Sequence, residues 1–577
     1  MKKITLFILL LLSTYTFGTT LYVNPDAVGN NSGNSWTNGF TNLQSAINAA
    51  NTGDILFVKA GVYNPTQPII SGDNRSRSFY INKNIKIYGG FNGTEATLGE
   101  RNVAANVTTL SGDFIGNDTD TNGNGINDFG LSENAYFVVL AYNLDNTSLI
   151  DGFRIIGGNA DGTATFTLGT YSVNTANGGG INNIQSNLVV RNTKFNNNSA
   201  SFGGGITNKG ACFPKIENCE FTYNFASYGN SIHANDGSLI TINNCTFNSN
   251  RGSGCLSSLN STVQKVTNCT FSYNQGNSGC VIYNNNTCNA IFVNCKMNNN
   301  TASSSGGAIY NTNYGTITMY NTLVYKNFAV YGGAVYNVSN SYVNSINCTY
   351  FGNTASTKGG AFYCSVSPDN MFMKMYNTII YGNTSPSNPN WFKEYYTESN
   401  IHVKNSIIQG SGGSTSWNTF YGTNDGNNLD VNPLFINTTQ DSEDFRLNVS
   451  SLGINASYNQ LLSLPNGNNS WTAADTDVYG NSRLAGAGVD IGAAENGAVL
   501  EVIENDNTNL SFYLNENNLV FDNYELLLNK SVQIFDLIGK QIFNGKVVSE
   551  SINVSSLSRG IYILRIESYK SIKFLIN

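Results

Sequence analysis

The stretch that decides the fold is residues 239–250, which read LITINNCTFNSN. Apolar and polar residues alternate in it, and many of the apolar ones are β-branched or aromatic, which is typical of short β-strands. No run of ten to twelve residues here keeps the spacing of a helix. The stretch therefore predicts a coil made of short strands.

The same pattern recurs with a nearly constant period. A glycine-rich start occurs at Gly178, Gly203, Gly229, Gly254, Gly279, Gly306, Gly332 and Gly359, and an N-[CT]-x-[apolar] tetrad begins in step at Asn192, Asn218, Asn244, Asn268, Asn294, Asn321, Asn347 and Asn377. The glycine starts span 181 residues in seven spacings, about 26 residues per unit. This period indicates stacked units that cannot bury their apolar face alone, and it is too short for propeller blades of about 40 residues. We therefore predict a parallel β-helix.

Aligning the units predicts which way the side chains point. The fourth position of each unit is almost always apolar and is expected to point inward: Ile181, Ile206, Ile232, Ser257, Ile282, Ile309, Val335 and Phe362. A second column is asparagine in every unit: Asn198, Asn224, Asn250, Asn274, Asn300, Asn327, Asn353 and Asn383. We expect their amides to hydrogen-bond from coil to coil.

The units resemble the GGAI/FxxN repeats of polymorphic outer-membrane proteins and other right-handed β-helices of the pectate-lyase-like superfamily. Residues 306–309 are a full GGAI and residues 247–250 a full FxxN, and the resemblance extends over about 178–410. Residues 429–496 resemble the closing region of choice-of-anchor β-helix proteins. The resemblance implies an all-β chain, a right-handed parallel β-helix followed by a small C-terminal β-sandwich.

Composition agrees with this architecture and excludes one class of partner. The chain has 577 residues, of which 94 are Asn and 58 Gly, while only 12% are charged. Stacked coils place equivalent side chains about 4.8 Å apart, so neutral residues avoid the repulsion of like charges. The net charge of −7 gives no support to nucleic-acid binding.

The two ends of the chain predict export. Residues 1–18 have two lysines, an apolar run and small residues, which predicts a secretory signal peptide. The β-helix is expected over 19–496 and a separate domain over 497–577. No transmembrane helix is expected, and the protein is placed outside the cell or on its outer surface.

The last domain resembles a type IX secretion C-terminal sorting domain. The resemblance rests on SVQIFDLIGK at 531–540, INVSSL at 552–557, GIYILRI at 560–566 and Lys573-Phe574. It implies a small β-sandwich that the type IX machinery recognises and often removes. The chain ends at Asn577, where the family commonly has Lys.

A column of tyrosines is the leading candidate for ligand binding. Tyr283, Tyr310, Tyr336 and Tyr363 follow the inward position and are expected to face outward, one coil apart. They would form a flat platform on which sugar rings stack. The alternative is that the rings stack on one another and protect the sheet.

A candidate calcium loop lies before the repeats. Residues 120–128 resemble thrombospondin-type calcium loops, and the resemblance places ligands at Asp120, Asn122, Asn124, the Ile126 carbonyl and Asp128. Two acids of the motif are replaced by asparagine, so affinity would be low. The alternative is a plain loop without an ion. No other cofactor is expected.

Seven of the ten cysteines fall into two groups. Cys219, Cys245, Cys269, Cys295 and Cys348 occupy an inward position and are predicted to be core thiols. Cys255 and Cys280 share another column in adjacent coils, about 4.8 Å apart, which makes them a candidate disulfide.

Catalytic groups are scarce in the repeats. Residues 178–383 contain the carboxylates Glu217, Glu220, Asp236 and Asp369 and ten basic residues, a net charge of +6, and neither set shares one column. We therefore predict no catalytic residue there and a non-catalytic adhesin or glycan-binding stalk, with a polysaccharide or a host surface as partner. The alternative is a polysaccharide lyase acting on acidic glycans, with its site in coils 70–160, among Arg75, Arg77, Arg101, Arg154, Asp73, Asp113, Asp118 and Asp151.

Overall fold

The computed structural model describes residues 18–365, 372–388, 390–393, 400–459, 464, 470–472, 474–484, 488–496, 512–515, 517–521, 524–536, 539–558, 560–567 and 572–576. The predicted signal peptide and Asp369 lie outside them, apart from Gly18. The chain divides into two compact units, Met1–Gly497 and Ala498–Asn577. No helix among the described residues has the length and apolar character needed to cross a membrane.

The first unit is a parallel β-solenoid, as the period predicts. Each regular coil contributes one short strand to each of four sheets, and equivalent strands of successive coils pair in parallel.

Sheet I follows the glycine-rich start of each coil. Its strands are Phe79–Ile81, Val139–Tyr142, Ile181–Ile184, Ile206–Lys209, Ile232–Ala234, Leu256–Ser258, Ile282–Asn284, Ile309–Asn311, Val335–Val338, Phe362–Ser365 and Trp391–Lys393. Sheet II comes next along the coil. Its strands are Thr20–Val23, Ile55–Lys59, Lys86–Phe91, Leu149–Asp151, Val189–Arg191, Lys215–Glu217, Leu239–Asn243, Val263–Thr267, Asn289–Val293, Thr316–Tyr320, Tyr342–Ile346, Phe372–Tyr376, Asn400–Lys404 and Thr423–Asn424.

Sheets III and IV complete each coil. The strands of sheet III are Gly61–Tyr63, Thr108–Ser111, Phe153–Ile156, Lys194–Asn196, Glu220–Thr222, Thr246–Asn248, Thr270–Ser272, Lys296–Asn298, Leu323–Tyr325, Thr349–Phe351, Ile379–Tyr381 and Ile407–Ile408. The strands of sheet IV are Asn159–Ala160, Ser199–Phe202, Phe225–Tyr228, Arg251–Ser253, Gln275–Ser278, Thr301–Ser305, Phe328–Tyr331 and Thr354–Lys358.

Short elements join or flank these sheets. The helix Leu43–Ala49 packs its buried Leu43, Ala46 and Ile47 against the first strands of the solenoid core, and Asn42 caps it by accepting the Ser45 amide. The 3₁₀ turns are Asn74–Ser76, Leu98–Glu100, Leu131–Glu133 and Thr419–Tyr421, and a hairpin joins Thr165–Leu168 to Tyr171–Asn174.

The interior is built from columns of identical or similar side chains. Phe195, Phe221, Phe247 and Phe271 are buried and stack with centroid separations of 4.4 to 4.9 Å. The predicted asparagine column is confirmed as a buried ladder, since the Nδ2 of each member donates to the Oδ1 of the next at 2.9 to 3.1 Å, from Asn198 through to Asn383. Buried amides are thereby paired in every coil.

One member of the predicted inward column is wrong. Leu256, and not Ser257, pairs with Ile232 and Ile282 and lies in the core, while Ser257 pairs with His233 and Tyr283. The segment between Gly254 and this strand is one residue shorter than its counterpart in the preceding coil, where the amides of Ser231 and Ile232 both donate to the Cys255 carbonyl at 3.2 and 2.8 Å. Counting from the glycine therefore misassigns the inward position by one.

The closing region packs along the outside of the solenoid. It contains the antiparallel pair Phe435–Asn437 and Asp444–Leu447. Phe445 lies 4.8 Å from the ring of Tyr325 on sheet III, and the indole of Trp471 donates to Asn347 Oδ1 at 2.9 Å beside sheet II. The described part of residues 435–495 therefore covers outer surface of sheets II and III.

A buried ion pair fixes the end of this region. Arg483 is fully buried and pairs with Glu495 at 3.1 Å, while it also donates to the carbonyls of Asp490 and Gly492. Burial raises the pKa of Glu495, and the adjacent guanidinium limits that rise.

The second unit is a small antiparallel domain, as expected. One sheet contains Phe512–Asn515, Asn518–Phe521 and Ser551–Asn553, and the other contains Gln541–Lys546, Ser531–Asp536, Gly560–Ile566 and Ile572–Ile576. The short helix Tyr524–Leu527 lies between strands in the chain. Buried Leu519, Ile534 and Leu564 belong to one core shared by both sheets.

Candidate functional site

The four predicted tyrosines lie side by side on sheet I. Tyr283, Tyr310, Tyr336 and Tyr363 pair in register on successive strands. Their ring centroids are 5.0, 5.2 and 4.8 Å apart, and the ring planes differ by only 2°, 12° and 9°. We call this row the tyrosine ladder.

The faces of the tyrosine rings are covered by stacking on neighbouring rings. Tyr310 and Tyr336 each have a ring on both sides, and Tyr228 contacts Tyr283 at 4.9 Å. The first three rings are half-buried and Tyr363 is buried. The ladder therefore turns ring edges, not ring faces, outward, which differs from the predicted flat platform. Equivalent positions on successive coils lie about 5 Å apart, and this spacing favours stacking of the rings along the solenoid axis.

The candidate calcium loop is closed by an antiparallel bridge between Thr119 and Phe129. Asp120 accepts the amides of Gly123 and Gly125 at 2.8 and 2.5 Å. Asp128 accepts the amide and hydroxyl of Thr121, both at 2.8 Å. Asn122 Oδ1 and Asn124 Oδ1 accept the amides of residues 124 and 126 at 3.2 and 2.9 Å. All four predicted ligand side chains thus already accept hydrogen bonds from within the loop.

Several residues named for the lyase alternative form structural ion pairs. Asp151 is fully buried and accepts from Arg101 at 2.7 Å, from Arg191 at 2.8 Å and from Asn192 at 2.9 Å. The carboxylate thus joins one arginine of the first coils to one of the repeats.

Arg75 and Asp73 also stabilise local structure. Asp73 accepts the Arg75 amide at 3.0 Å at the start of a 3₁₀ turn. The Arg75 guanidinium donates to the Asn134 carbonyl at 2.8 Å, pairs with Asp161 at 2.6 Å and lies 4.4 Å from the ring centre of Tyr136. These contacts tie three separate loops together.

The remaining candidates lie in two places. Arg154 is exposed on sheet III, while Arg77 lies 3.7 Å above the ring of Phe114. Asp113 and Asp118 come together with Glu133, a residue that the sequence did not single out. Of the repeat carboxylates, Glu220 pairs with Lys194 at 2.8 Å.

The predicted core thiols are buried, and the candidate disulfide is not formed in the structure. Leu256 pairs with Ile282, which offsets Cys255 from Cys280 by one position. Cys255 belongs to the central core, whereas Cys280 packs with Ala302 and Ala329 and donates to the Thr301 carbonyl at 3.1 Å. The offset turns the two sulfurs to different surroundings.

A second buried asparagine ladder escaped the sequence analysis. Asn183 donates to Asn208 at 2.9 Å, Asn284 to Asn311 at 2.9 Å, and Asn311 to Asn337 at 2.8 Å. These residues stand two positions after the inward column, so the alignment of coils already contained the signal.

Comparison with known proteins identifies the C-terminal unit. Residues 505–577 match the family described as the secretion system C-terminal sorting domain. This unit is a type IX secretion sorting domain. The sorting domain interacts with the secretion machinery, so the protein is exported and is secreted or held at the cell surface.

The solenoid has two similar solved structures. The pectate lyase Pel9A is 13% identical, with 83% of this chain and 97% of that chain covered and a TM-score of 0.41. A rhamnogalacturonan lyase is 11% identical, with coverages of 79% and 95% and a TM-score of 0.22. No curated protein matches the chain.

Proposed function

We propose that the solenoid is a non-catalytic glycan-binding stalk, displayed outside the cell by its sorting domain. The observation that carries this proposal is the tyrosine ladder. Its rings hold one another in place, so a ligand would not have to order them on binding. A row of phenol edges at about 5 Å intervals suits an extended polysaccharide, whose sugar rings repeat at a similar interval.

The position of the ladder supports the same function. The described part of residues 435–495 covers outer surface of sheets II and III, whereas the ladder lies on sheet I. Tyr228, which contacts Tyr283, continues the aromatic row to Phe202, 5.7 Å away. A binding face on sheet I would thus continue onto the ends of two strands of sheet IV, Phe225–Tyr228 and Ser199–Phe202.

The test separates the phenol hydroxyls from the stacking of the rings. The double variant Tyr310→Phe/Tyr336→Phe keeps both rings and removes two hydroxyls. We expect glycan binding on an array, followed by titration of the best ligand, to weaken roughly tenfold, since each lost hydrogen bond contributes about 0.5–1.5 kcal/mol. Tyr314→Phe, which removes a hydroxyl from an exposed turn outside the ladder, is the matched control.

Unchanged binding by the double phenylalanine variant, with thermal stability intact, would leave the ladder a structural element that protects the sheet. In that case the corresponding double alanine variant should lose stability without any selective loss of binding. A protein that binds no glycan on the array would contradict the proposal itself.

The competing function is a polysaccharide lyase that acts on acidic glycans. It is favoured by the convergence of Asp113, Asp118 and Glu133, next to the Arg77–Phe114 contact. Ultraviolet absorbance of unsaturated products over a panel of uronic-acid glycans decides between the two. Product formation by the purified protein would refute a non-catalytic stalk.

A further inference from the structure

Three carboxylates meet in the loop between sheets III and I. Single oxygens of Asp113, Asp118 and Glu133 all lie within 4.8 Å of one another. Asp113 follows the strand Thr108–Ser111, and Glu133 ends a 3₁₀ turn twenty residues later. The backbone bond from Ala135 to Gly112, at 2.9 Å, brings the two segments together.

The Asp113 carboxylate accepts the backbone amides of residues 115, 116 and 118 at 3.2, 2.6 and 3.3 Å, while side chains from outside the loop donate to backbone carbonyls around the cluster. Asn64 donates to the carbonyls of Ser111 and Asp113 at 3.0 and 2.7 Å. Asn159 donates to the Leu131 carbonyl at 3.1 Å, and Arg75 to that of Asn134 at 2.8 Å. The segments that carry the three acids are therefore anchored independently of one another.

Four oxygens at the cluster are buried and accept no hydrogen bond from any residue that the structure describes. They are Asn117 Oδ1, Asp118 Oδ1, Glu133 Oε1 and Asn134 Oδ1. Asn134 is fully buried, and its amide lies against the cluster, since its Nδ2 donates to Asp118 Oδ2 at 2.8 Å. Buried polar oxygens without a donor are rare and costly, so several in one place indicate a missing positive partner.

The negative charge of the cluster also favours a bound cation. Burial raises the pKa of Asp118 to about 6, and the carboxylates of Asp113 and Glu133 add to that rise, while amide hydrogen bonds oppose it. The acids thus repel one another where protein amides compensate only in part.

We propose that Asp113, Asp118 and Glu133, with the amide oxygens of Asn117 and Asn134, bind one calcium ion. Calcium takes six to eight oxygen ligands in flexible geometry and accepts carboxylates and amides together, whereas magnesium demands a smaller, near-octahedral site. The ion would pair with the unsatisfied oxygens and join the two segments of the loop. The assignment rests on this cluster alone and does not depend on glycan binding.

This site differs from the loop at 120–128. At 120–128 every candidate side chain accepts a hydrogen bond within the loop. At the cluster, Asp113 and one oxygen of Asp118 also accept hydrogen bonds, but four other buried oxygens accept none from the described residues. The two can be separated by single isosteric substitutions.

The experiment titrates calcium chloride into the chelator-treated full-length protein at pH 7.5 by calorimetry. We expect one ion per chain, an affinity at least tenfold lower in Asp118→Asn and in Glu133→Gln, and no change in Asp128→Asn, the matched control in the loop. Magnesium chloride should bind at least tenfold more weakly than calcium.

Thermal unfolding shows whether a variant that fails to bind calcium is still folded. Without calcium, Asp118→Asn should unfold at the same or a higher temperature than the parent protein, because it removes repulsion between carboxylates. With calcium, only the parent and Asp128→Asn should gain stability. An absence of binding by the parent, binding by Asp118→Asn equal to the parent, or loss of binding in Asp128→Asn alone would each overturn the proposal.

Discussion

The regular coils from residue 178 onward and the irregular coils before them pair their buried polar groups in different ways. In the regular coils, buried polar groups pair with identical groups one coil away, as in the ladder from Asn198 to Asn383. In the irregular coils, unlike groups meet, as in the pairing of Asp151 with Arg101 and Arg191.

The difference shows what repetition can and cannot build. A column of one residue type satisfies its hydrogen bonds in every coil, but a column of like charges would repel itself at a spacing of about 5 Å. Sites that need several different charged groups must therefore interrupt the repeat. The Asp113 cluster lies in such an interruption, and the neutral tyrosine ladder lies within the repeat.

The largest effect is expected where the irregular coils join the repeats. Asp151→Ala removes the carboxylate and leaves Arg101, which is largely buried, without its partner. We expect a loss of about 3–5 kcal/mol in the free energy of unfolding, because an uncompensated buried charge remains. Urea unfolding of the full-length protein measures it.

The control is an ion pair on the surface of the repeats. Glu220→Ala removes the partner of Lys194, and both side chains are well exposed. It should cost under about 1 kcal/mol. Equal losses in the two variants would show that the junction is no more critical than the surface of the stack.

We expect the second-largest loss of stability from a substitution in the asparagine ladder. Asn250 accepts the backbone and side-chain N–H groups of Asn224 at 2.9 and 3.1 Å and donates to the Phe221 carbonyl and Asn274 at 2.8 and 3.1 Å. Asn250→Ala leaves these buried groups without partners. We expect a loss of about 3 kcal/mol in the free energy of unfolding.

Asn248→Ala, two residues earlier, is the matched control, because that amide makes a 3.3 Å bond to Ser272 on the partly exposed face of sheet III. It should change the free energy of unfolding by less than about 0.5 kcal/mol. A similarly small change in Asn250→Ala would mean that water replaces the ladder at little cost.

The same contrast explains how much could be predicted from the sequence. Columns such as Asn198 and Tyr310 were visible because each coil repeats their chemistry at a fixed spacing. The inward position at Leu256 is predicted one residue too late, since the segment between Gly254 and Leu256 is one residue shorter than in the preceding coil, and the spacing of the glycines does not reveal this. Asp113 and Glu133 meet through a loop that no period describes, and only Asp113 and Asp118 were singled out.

The smallest expected effect tests whether the repeats are insensitive to acid. His233 is buried in sheet I, where Ser257 Oγ lies 3.2 Å from its Nδ1 and the Phe202 ring 5.0 Å away. Burial lowers the pKa of His233 to about 4, from about 6.5 in an unfolded chain. Between these values the unfolded chain binds a proton that the folded protein does not, so stability falls as the pH falls.

From pH 7 to pH 5 this difference amounts to about 2 kcal/mol, and it stops growing once the pH is below the folded pKa. His233→Thr, which introduces the residue found at the equivalent Thr207, removes the titrating group. Urea unfolding of both proteins at pH 7 and pH 5 isolates the contribution of His233 from that of the carboxylates, which both proteins share. If the parent protein and His233→Thr lose the same free energy of unfolding between pH 7 and pH 5, His233 binds its proton in the folded protein as readily as in the unfolded chain. That coil would then open in acid more easily than its packing indicates.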